Sequence, residues 1–505
     1  MKNALFQGSL VLMLSGFVGK LLGAFYRLPL SNILGPEGIG IYQMVFAVFS
    51  LALIISSGGV SVAVSHNVAK IRAGANGSEK QVFLKGLLYS VFVSLFFCLI
   101  FVALGGQISA LQGTPLGAQA YVMAGVALLF SSVLASFRGL YQGRQNMVPT
   151  AVSQVLEQVF KAAFGLIFSF IFVKQSLALG VFGAFLGIAI SEIISFLYLL
   201  FKTRHFKFYG QKNQHQEFFK TNAIITINAL IIPLVIVFDS FVVVNLLSGF
   251  MPQIEATALF GLQSGIVSSI INVPVVASVA VSLALLPELS YNIQSGDKIF
   301  AKKQIEKMFL VCFALLVPCV LILIFFAKDI LGFLYPSLSP ELLSIATNLL
   351  KISSIEIVFI AVVQIMTSVL QSLNKPHFAV FGLLGAGAVK VFLTFLLVSN
   401  PQIGIIGMAI STLMFYGVGA CALVFITQKH LSFALDQKAF LYGGALALCL
   451  AVCFVVTNML FESLAMKILF AGFGFIIIYA LPLYFTNFFG IRSFFVAKIK
   501  KRGIK

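Results

Sequence analysis

Residues 5–30 read LFQGSLVLMLSGFVGKLLGAFYRLPL, an apolar run that holds no acid and two cations, Lys20 and Arg27. Wound as an α-helix it is about 39 Å long, more than the ~30 Å hydrocarbon core of a bilayer. It is too long for a signal-peptide core and has no Ala-x-Ala cleavage pattern, so it reads as a first spanning helix. Gly16, Lys20, Gly23 and Arg27 recur at spacings of four, three and four, which sets them on one helical face with the cations about 10 Å apart along the axis. A charge at the bilayer centre costs about 2.5–3.5 kcal/mol even on a lenient insertion scale, so this stripe belongs on a wet interior. The structural alternative is that Arg27 snorkels to the headgroups while Lys20 pairs within the bundle.

The rest of the chain follows the same pattern. Of 505 residues, 60% are hydrophobic and only 10% charged, a balance foreign to soluble domains. Further stretches of spanning length fall near 39–65, 82–104, 119–141, 150–173, 178–201, 222–248, 256–286, 306–327, 342–370, 378–398, 403–427, 438–460 and 465–486. The expected fold is an all-α polytopic membrane protein of about fourteen spanning helices. Basic residues alternate between connections. One set carries Lys70, Arg72, Lys80 and Lys85, then Arg138 and Arg144, the Lys202–Lys220 group, the Lys298–Lys307 group, Lys375, Lys429, Lys438 and both chain ends, whereas the other has only Lys174, Lys328 and Lys467. The positive-inside rule then places both termini in the cytoplasm and assigns the net charge of +18 to loops, not to nucleic-acid binding. The outer connections are short, which argues against a membrane-embedded glycosyltransferase, and no GxxxxGK[ST] loop is present for ATP hydrolysis. All six cysteines lie in apolar runs without histidine neighbours, so no metal site is expected.

An internal duplication is visible. Gly180-x-x-Gly183 leading to Gly187-Ile-Ala-Ile-Ser191 matches Gly404-x-x-Gly407-Met-Ala-Ile-Ser411. Gln142-Gly-Arg144-Gln-Asn146, with Pro149 close behind, matches Gln371-Ser-Leu-Asn374-Lys375-Pro376, and each is followed by a helix with one lysine, Lys161 or Lys390. Gly40-Ile-Tyr-Gln43 likewise matches Gly261-Leu-Gln263. The expected organisation is a six-helix lobe over 1–205, a basic linker over 206–221, a second, pseudo-symmetric lobe over 222–430, and two more helices with a basic surface tail over 431–505. Two like-oriented bundles suit an alternating-access transporter.

Five cations, Lys20, Arg27, Lys161, Lys351 and Lys390, fall within predicted helices. Glu157 precedes Lys161 by four residues, the favourable order for an ion pair along a helix. That pair is either a self-neutralising structural feature or part of a shared cation site with Lys390, which has no acid in its own helix. Glu192, Asp239 and Glu356 are the remaining intramembrane acids of note. Asp239, behind Pro233, is the leading expectation for a protonatable or cation-binding group, with Glu356 and Lys351 completing a candidate coupling set. The polar run Gln263, Ser264, Ser268, Ser269, Asn272 and Pro274 marks an irregular helix or ordinary interhelical glue.

Lys20-Leu-Leu-Gly23, Arg27, Ile33-Leu-Gly-Pro-Glu-Gly-Ile-Gly-Ile-Tyr-Gln43 and Ser57-Gly-Gly-Val-Ser-Val-Ala-Val-Ser65 resemble the opening of the polysaccharide-transport branch of the MOP (multidrug, oligosaccharidyl-lipid, polysaccharide) exporter superfamily, around the stage V sporulation protein B group. The resemblance implies two six-helix lobes around a central cavity, and flipping of a polyprenyl-diphosphate-linked saccharide across the bacterial cytoplasmic membrane. No cofactor is expected, and Na⁺ or H⁺ coupling or the membrane potential is the expected driving force. The expected partners are the lipid-linked substrate, membrane lipids and other envelope-assembly proteins, and the expected state is a monomer. Lys20 and Arg27 fall where the superfamily's MurJ lipid II flippases have two basic residues. Those flippases also have an aspartate where this chain reads Gly40-Ile-Tyr42, and an arginine pair where it reads Ile54-Ile-Ser-Ser57. The resemblance therefore implies the cargo class more firmly than lipid II itself. A diphosphate needs cations in a low-dielectric cavity, and Arg27, Lys20, Lys161, Lys390 and Glu157 form the expected site. The competing reading is a multidrug antiporter for organic cations, which the cationic stripe would repel.

Overall fold

The computed structural model describes residues 2–210, 218–433 and 437–482; the tail expected at the membrane surface and part of the basic linker lie outside them. The described residues are helical apart from turns, loops and one isolated bridge between Ser78 and Gly210. In chain order the helices are α1 (Lys2–Ser57), α2 (Val60–Arg72), α3 (Glu79–Leu111), α4 (Ala118–Gly143), α5 (Val148–Phe172), α6 (Leu177–Thr203), α7 (Phe218–Leu247), α8 (Gln253–Gly261) and α9 (Ser268–Gln294). They continue as α10 (Lys298–Phe325), α11 (Ala327–Leu334), α12 (Pro340–Ser354), α13 (Glu356–Ser372), α14 (Pro376–Val398), α15 (Ile406–His430), α16 (Gln437–Leu460) and α17 (Leu464–Gly474). A π-helical stretch, Leu262–Val267, joins α8 to α9, and a second, Phe475–Ala480, extends α17.

Twelve stretches of the described residues are long and apolar enough to cross a bilayer. The first, Leu21–Arg72, has 52 residues and would run about 78 Å as one helix, far beyond a single crossing. It is broken at Gly35, whose φ of 70° and ψ of 178° leave the helical region; Pro36 follows and has no N–H to carry the ladder across. Counting the two sides of Gly35 separately and adding the short apolar helix Ala465–Ala480 gives about fourteen crossings, as the sequence predicts. The expected loop over 31–38 is thus reduced to a one-residue break, because glycine alone absorbs the turn. The expected span 342–370 is likewise two helices, α12 and α13, parted at Ile355.

The chain divides into two compact units, Met1–Ile270 with Val391–Met408, and Ile271–Lys390 with Ala409–Lys505. In the first, α5 lies along α6, α4 packs on α3 and α6, and α1 packs on α5, α7 and α8. These contacts with α1 draw residues 218–270 into the first unit, whereas the sequence reading begins its second lobe at 222. The two stretches that read alike meet here. Gly40 and Gly261 cross so closely that a side chain on either would strike backbone of the other segment, and Gln43 Nε2 donates to the Ser264 carbonyl at 3.0 Å. In the second unit α10 packs on α12, α13 and α16, and α16 on α17.

Two turns are built to one plan. After α4, Gln145 N donates to Gln142 O and Asn146 N to Tyr141 O; after α13, Asn374 N donates to Gln371 O and Lys375 N to Leu370 O. Gln145 (φ 60°) and Asn374 (φ 57°) hold the same left-handed conformation. The sequence distance from Gln145 to Asn374 equals that from Lys161 to Lys390, so the two lysines stand at equivalent places. The α4–α5 turn is further clasped by Glu79, fully buried at the start of α3. It accepts from Arg72, Arg144 and the Tyr209 N–H, and Arg144 stacks on Phe206 with 4.1 Å to the ring centroid.

Candidate functional site: charges inside the first unit

α1 presents Arg27 half-buried, its guanidinium carbon 5.6 Å from the centroid of the Phe46 ring beyond the Gly35 break. Phe46 stacks on Tyr42 at 5.7 Å, and Tyr42 meets Phe185 of α6 at 5.2 Å. The adjacent Tyr26 is buried and lies beneath Lys161 of α5, with Nζ 5.6 Å from the ring centroid. Small residues let the helices come this close: the Tyr26 hydroxyl occupies the space that a side chain at Gly165 would fill. Ser15 Oγ donates to Gln154 Oε1 at 3.0 Å, which ties α1 to α5 further along. Aromatic faces attract cations by about 0.5–1 kcal/mol, and more where water is excluded, but they do not neutralise them.

The acids of this region are engaged elsewhere. The sequence predicts an ion pair between Glu157 and Lys161; the structure pairs Glu157 with Arg138 of α4, whose Nη2 lies 2.8 Å from Oε2. Glu157 Oε1 accepts from Gln158 at 2.9 Å, and Arg138 Nε donates to Ser153 Oγ at 3.1 Å. Among the described residues Lys161 has neither a hydrogen bond nor an ion pair. The charges that act on it are those of Glu157, Arg27 and Glu192. Glu192 of α6 is 6% exposed and keeps one carboxylate oxygen without a hydrogen-bond partner among the described residues. Arg138 was the residue missed by reading the sequence, which counted it with the loops. Its place inside the apolar stretch 119–141 was the signal, and α4 continues past it to Gly143.

The other predicted site residues have different settings. Lys20 lies on α1, two turns before Arg27, and its side chain is outside the described residues. Lys390 of α14 belongs to the second unit, is 2% exposed, and donates from Nζ to Thr412 Oγ1 of α15 at 3.0 Å. Glu356, which opens α13, is buried with Lys390 as the charge acting on it. Lys351 lies in the last turn of α12, before the Ile355 break, and is exposed, so it is not the buried intramembrane cation that the sequence suggests. Asp239 is buried on α7 beside Ser240, whose hydroxyl accepts from Gln112 at 3.0 Å. The structure therefore brings Arg27, Glu157 and Lys161 together in one unit and Lys390 with Glu356 in the other. In the first, Arg138 cancels Glu157, and the aromatic-flanked Arg27 and Lys161 are left as cations suited to an anion with several oxygens.

Comparison with known proteins finds relatives over most of the chain. Residues 5–293 match the family model "Polysaccharide biosynthesis protein", and residues 236–406 match the MatE model. The chain is 28% identical over 429 residues to stage V sporulation protein B of Bacillus subtilis (strain 168), covering 81% of each chain. It is 27% identical over 433 residues to lipid II flippase MurJ of the same organism, covering 80% of this chain and 79% of that one. Among solved structures, lipid II flippase MurJ in an inward closed conformation superposes with a TM-score of 0.73 at 16% identity, over 94% of this chain and 99% of that one. An inward-facing multidrug resistance MATE family transporter of the MOP superfamily gives 0.67 at 15% identity, over 82% and 94%.

Proposed function

The chain belongs to the polysaccharide biosynthesis protein family, and from that premise we propose that it carries a polyprenyl-diphosphate-linked saccharide from the inner to the outer leaflet of the bacterial cytoplasmic membrane by alternating access. The observation that supports this reading most directly is a pair of intramembrane cations, Arg27 and Lys161, flanked by aromatic rings, with the nearest acid of α5 bound to Arg138. A diphosphate diester brings two negative charges and several acceptor oxygens to such a place, while its polyprenyl chain stays in lipid. Lys20 extends the same stripe of α1, whereas Lys390 of the duplicated helix is bonded to Thr412 within the second unit. The two lobes of the sequence reading, 1–205 and 222–430, are the bodies that alternate, with both termini in the cytoplasm.

Driving force follows from charge. With the cytoplasm negative, moving two negative charges outward is favoured by roughly 4.6 kcal/mol per 100 mV, without nucleotide hydrolysis. Where an ion is coupled as well, the buried acids Glu356 and Asp239 are its carriers in this reading, with Lys351 close to Glu356 in sequence. Leaflet transfer of a labelled undecaprenyl-diphosphate saccharide in proteoliposomes tests the proposal. Transfer that accelerates when the cargo side is made negative and collapses in Arg27→Ala supports it. A folded protein that moves no such lipid but exports an organic cation against protons belongs instead with the antiporters to which the MatE match points.

A further inference from the structure

The pairing at α4 and α5 suggests a role for a residue outside the cation stripe. We propose that Arg138 is a positioning residue: by holding Glu157 it keeps that carboxylate off Lys161, and so keeps the Lys161 ammonium available to the cargo's diphosphate. This rests on the flippase reading above and deepens it.

Four observations carry the argument. Glu157 and Lys161 are four residues apart on one helix, with the acid toward the N-terminus, the order in which such side chains pair readily. They do not pair. Arg138 reaches across from α4 to Glu157 Oε2 at 2.8 Å, and its own orientation is fixed by Ser153 Oγ at 3.1 Å. Gln158 occupies the second carboxylate oxygen at 2.9 Å. Guanidinium is the better partner for a carboxylate in this setting: it is planar, permanently charged and less strongly hydrated than ammonium. The pair Glu157–Lys161 is thus a latent alternative that Arg138 suppresses. Without Arg138 the carboxylate is released next to Lys161, one helical turn away, and the paired ammonium would have to be pulled from a carboxylate before it could hold a phosphate. Glu192 also acts on Lys161 through its charge but makes no ion pair with it among the described residues.

The test compares wild type, Arg138→Gln, Glu157→Gln with Arg138→Gln, and Arg138→Lys, each screened by thermal melting in detergent. The first readout is binding of undecaprenyl diphosphate to the full chain in nanodiscs. Arg138→Gln should weaken binding about tenfold or more, the scale of one lost charge-assisted hydrogen bond, and the double variant should recover to within about threefold of wild type. Arg138→Lys should fall between wild type and Arg138→Gln, because an ammonium holds the carboxylate less well than the guanidinium. The second readout needs no cargo: the acylation rate of Lys161 by a membrane-permeant amine reagent, followed by peptide mass spectrometry. Pairing with Glu157 holds the proton on Lys161, so Arg138→Gln should slow acylation and the added Glu157→Gln should restore it. Arg138→Gln that binds and labels like wild type overturns the proposal. So does a folded double variant that stays as weak as the single, which would make Arg138 a direct ligand or a structural strut. If wild type itself binds no diphosphate lipid, the flippase reading falls, and the labelling rates still decide whether Arg138 governs Lys161.

Discussion

Lys161 and Lys390 stand at equivalent places on α5 and α14, each following a turn of the same hydrogen-bonding plan, yet their ammonium groups meet different surroundings. Lys390 is sealed in the second unit, bonded to Thr412 and facing the charge of Glu356. Lys161 is only half-buried, rests on the Tyr26 ring, and has lost its nearest acid to Arg138. The difference teaches that a lysine inside the membrane is informative only together with its partner. A satisfied cation has been solvated by the protein and has little left to give a ligand, whereas one held by an aromatic face and a distant acid still gains from an anion.

The sharpest way to break this comparison is to remove the unsatisfied cations. Arg27→Ala and Lys161→Ala should each cut leaflet transfer by about tenfold to a hundredfold, the range for losing a hydrogen bond to a charged group, with little change in melting temperature. The equivalent change in the other half should behave in the opposite way. Lys390→Met leaves Glu356 buried without its cation, and should cost about 1–3 kcal/mol of stability while transfer by the surviving folded fraction falls only a few-fold. Adding Glu356→Gln should recover much of that stability in a melting assay. A Lys390→Met protein that melts normally and transfers nothing would show that both lysines serve the cargo alike.

How much of this was legible in the sequence varied with the physics behind each feature. Spanning stretches were readable because an apolar run near 20 residues has few other uses, and the duplicated turns were readable because left-handed Gln145 and Asn374 each follow a matched glutamine, Gln142 or Gln371, with a proline close behind. The Gly35 break was misjudged as a loop, since a glycine and a proline punctuate a chain equally well with one residue out of line or with eight. At the site, Arg27, Glu157 and Lys161 were found from charge in an apolar setting. The partner of Glu157 was not, because pairing along a helix is visible as a spacing and pairing between α4 and α5 is not. The same limit hid the split between Lys161 and Lys390: their own helices differ by one acid, and it is residues on other helices, Arg138 and Thr412, that set their environments.

Charges that already have close partners give the comparison its controls. Glu79 is fully buried and accepts from Arg72, Arg144 and the Tyr209 backbone. Removing it in Glu79→Ala leaves two arginines without their acceptor and should cost about 2–3 kcal/mol, seen as easier proteolysis near Tyr209, with transfer by folded protein kept.

The smallest effect belongs to the pair between Lys467 and Asp329, which links α17 to α11 with 2.9 Å between Nζ and Oδ2 and leaves the Asp329 side chain partly exposed. An ion pair with that much access to its surroundings is worth about 0.2–1 kcal/mol, so Asp329→Asn should lower the melting temperature slightly and leave transfer within about twofold of wild type, a shift too small to register as a lost charge-assisted bond. Lys467 is also one of only three cations in the set of connections that the sequence reading assigns to the outside. If Asp329→Asn alters transfer strongly while the protein melts as before, then a paired cation does act on the cargo, and pairing would no longer be the property that separates Lys161 from Lys390.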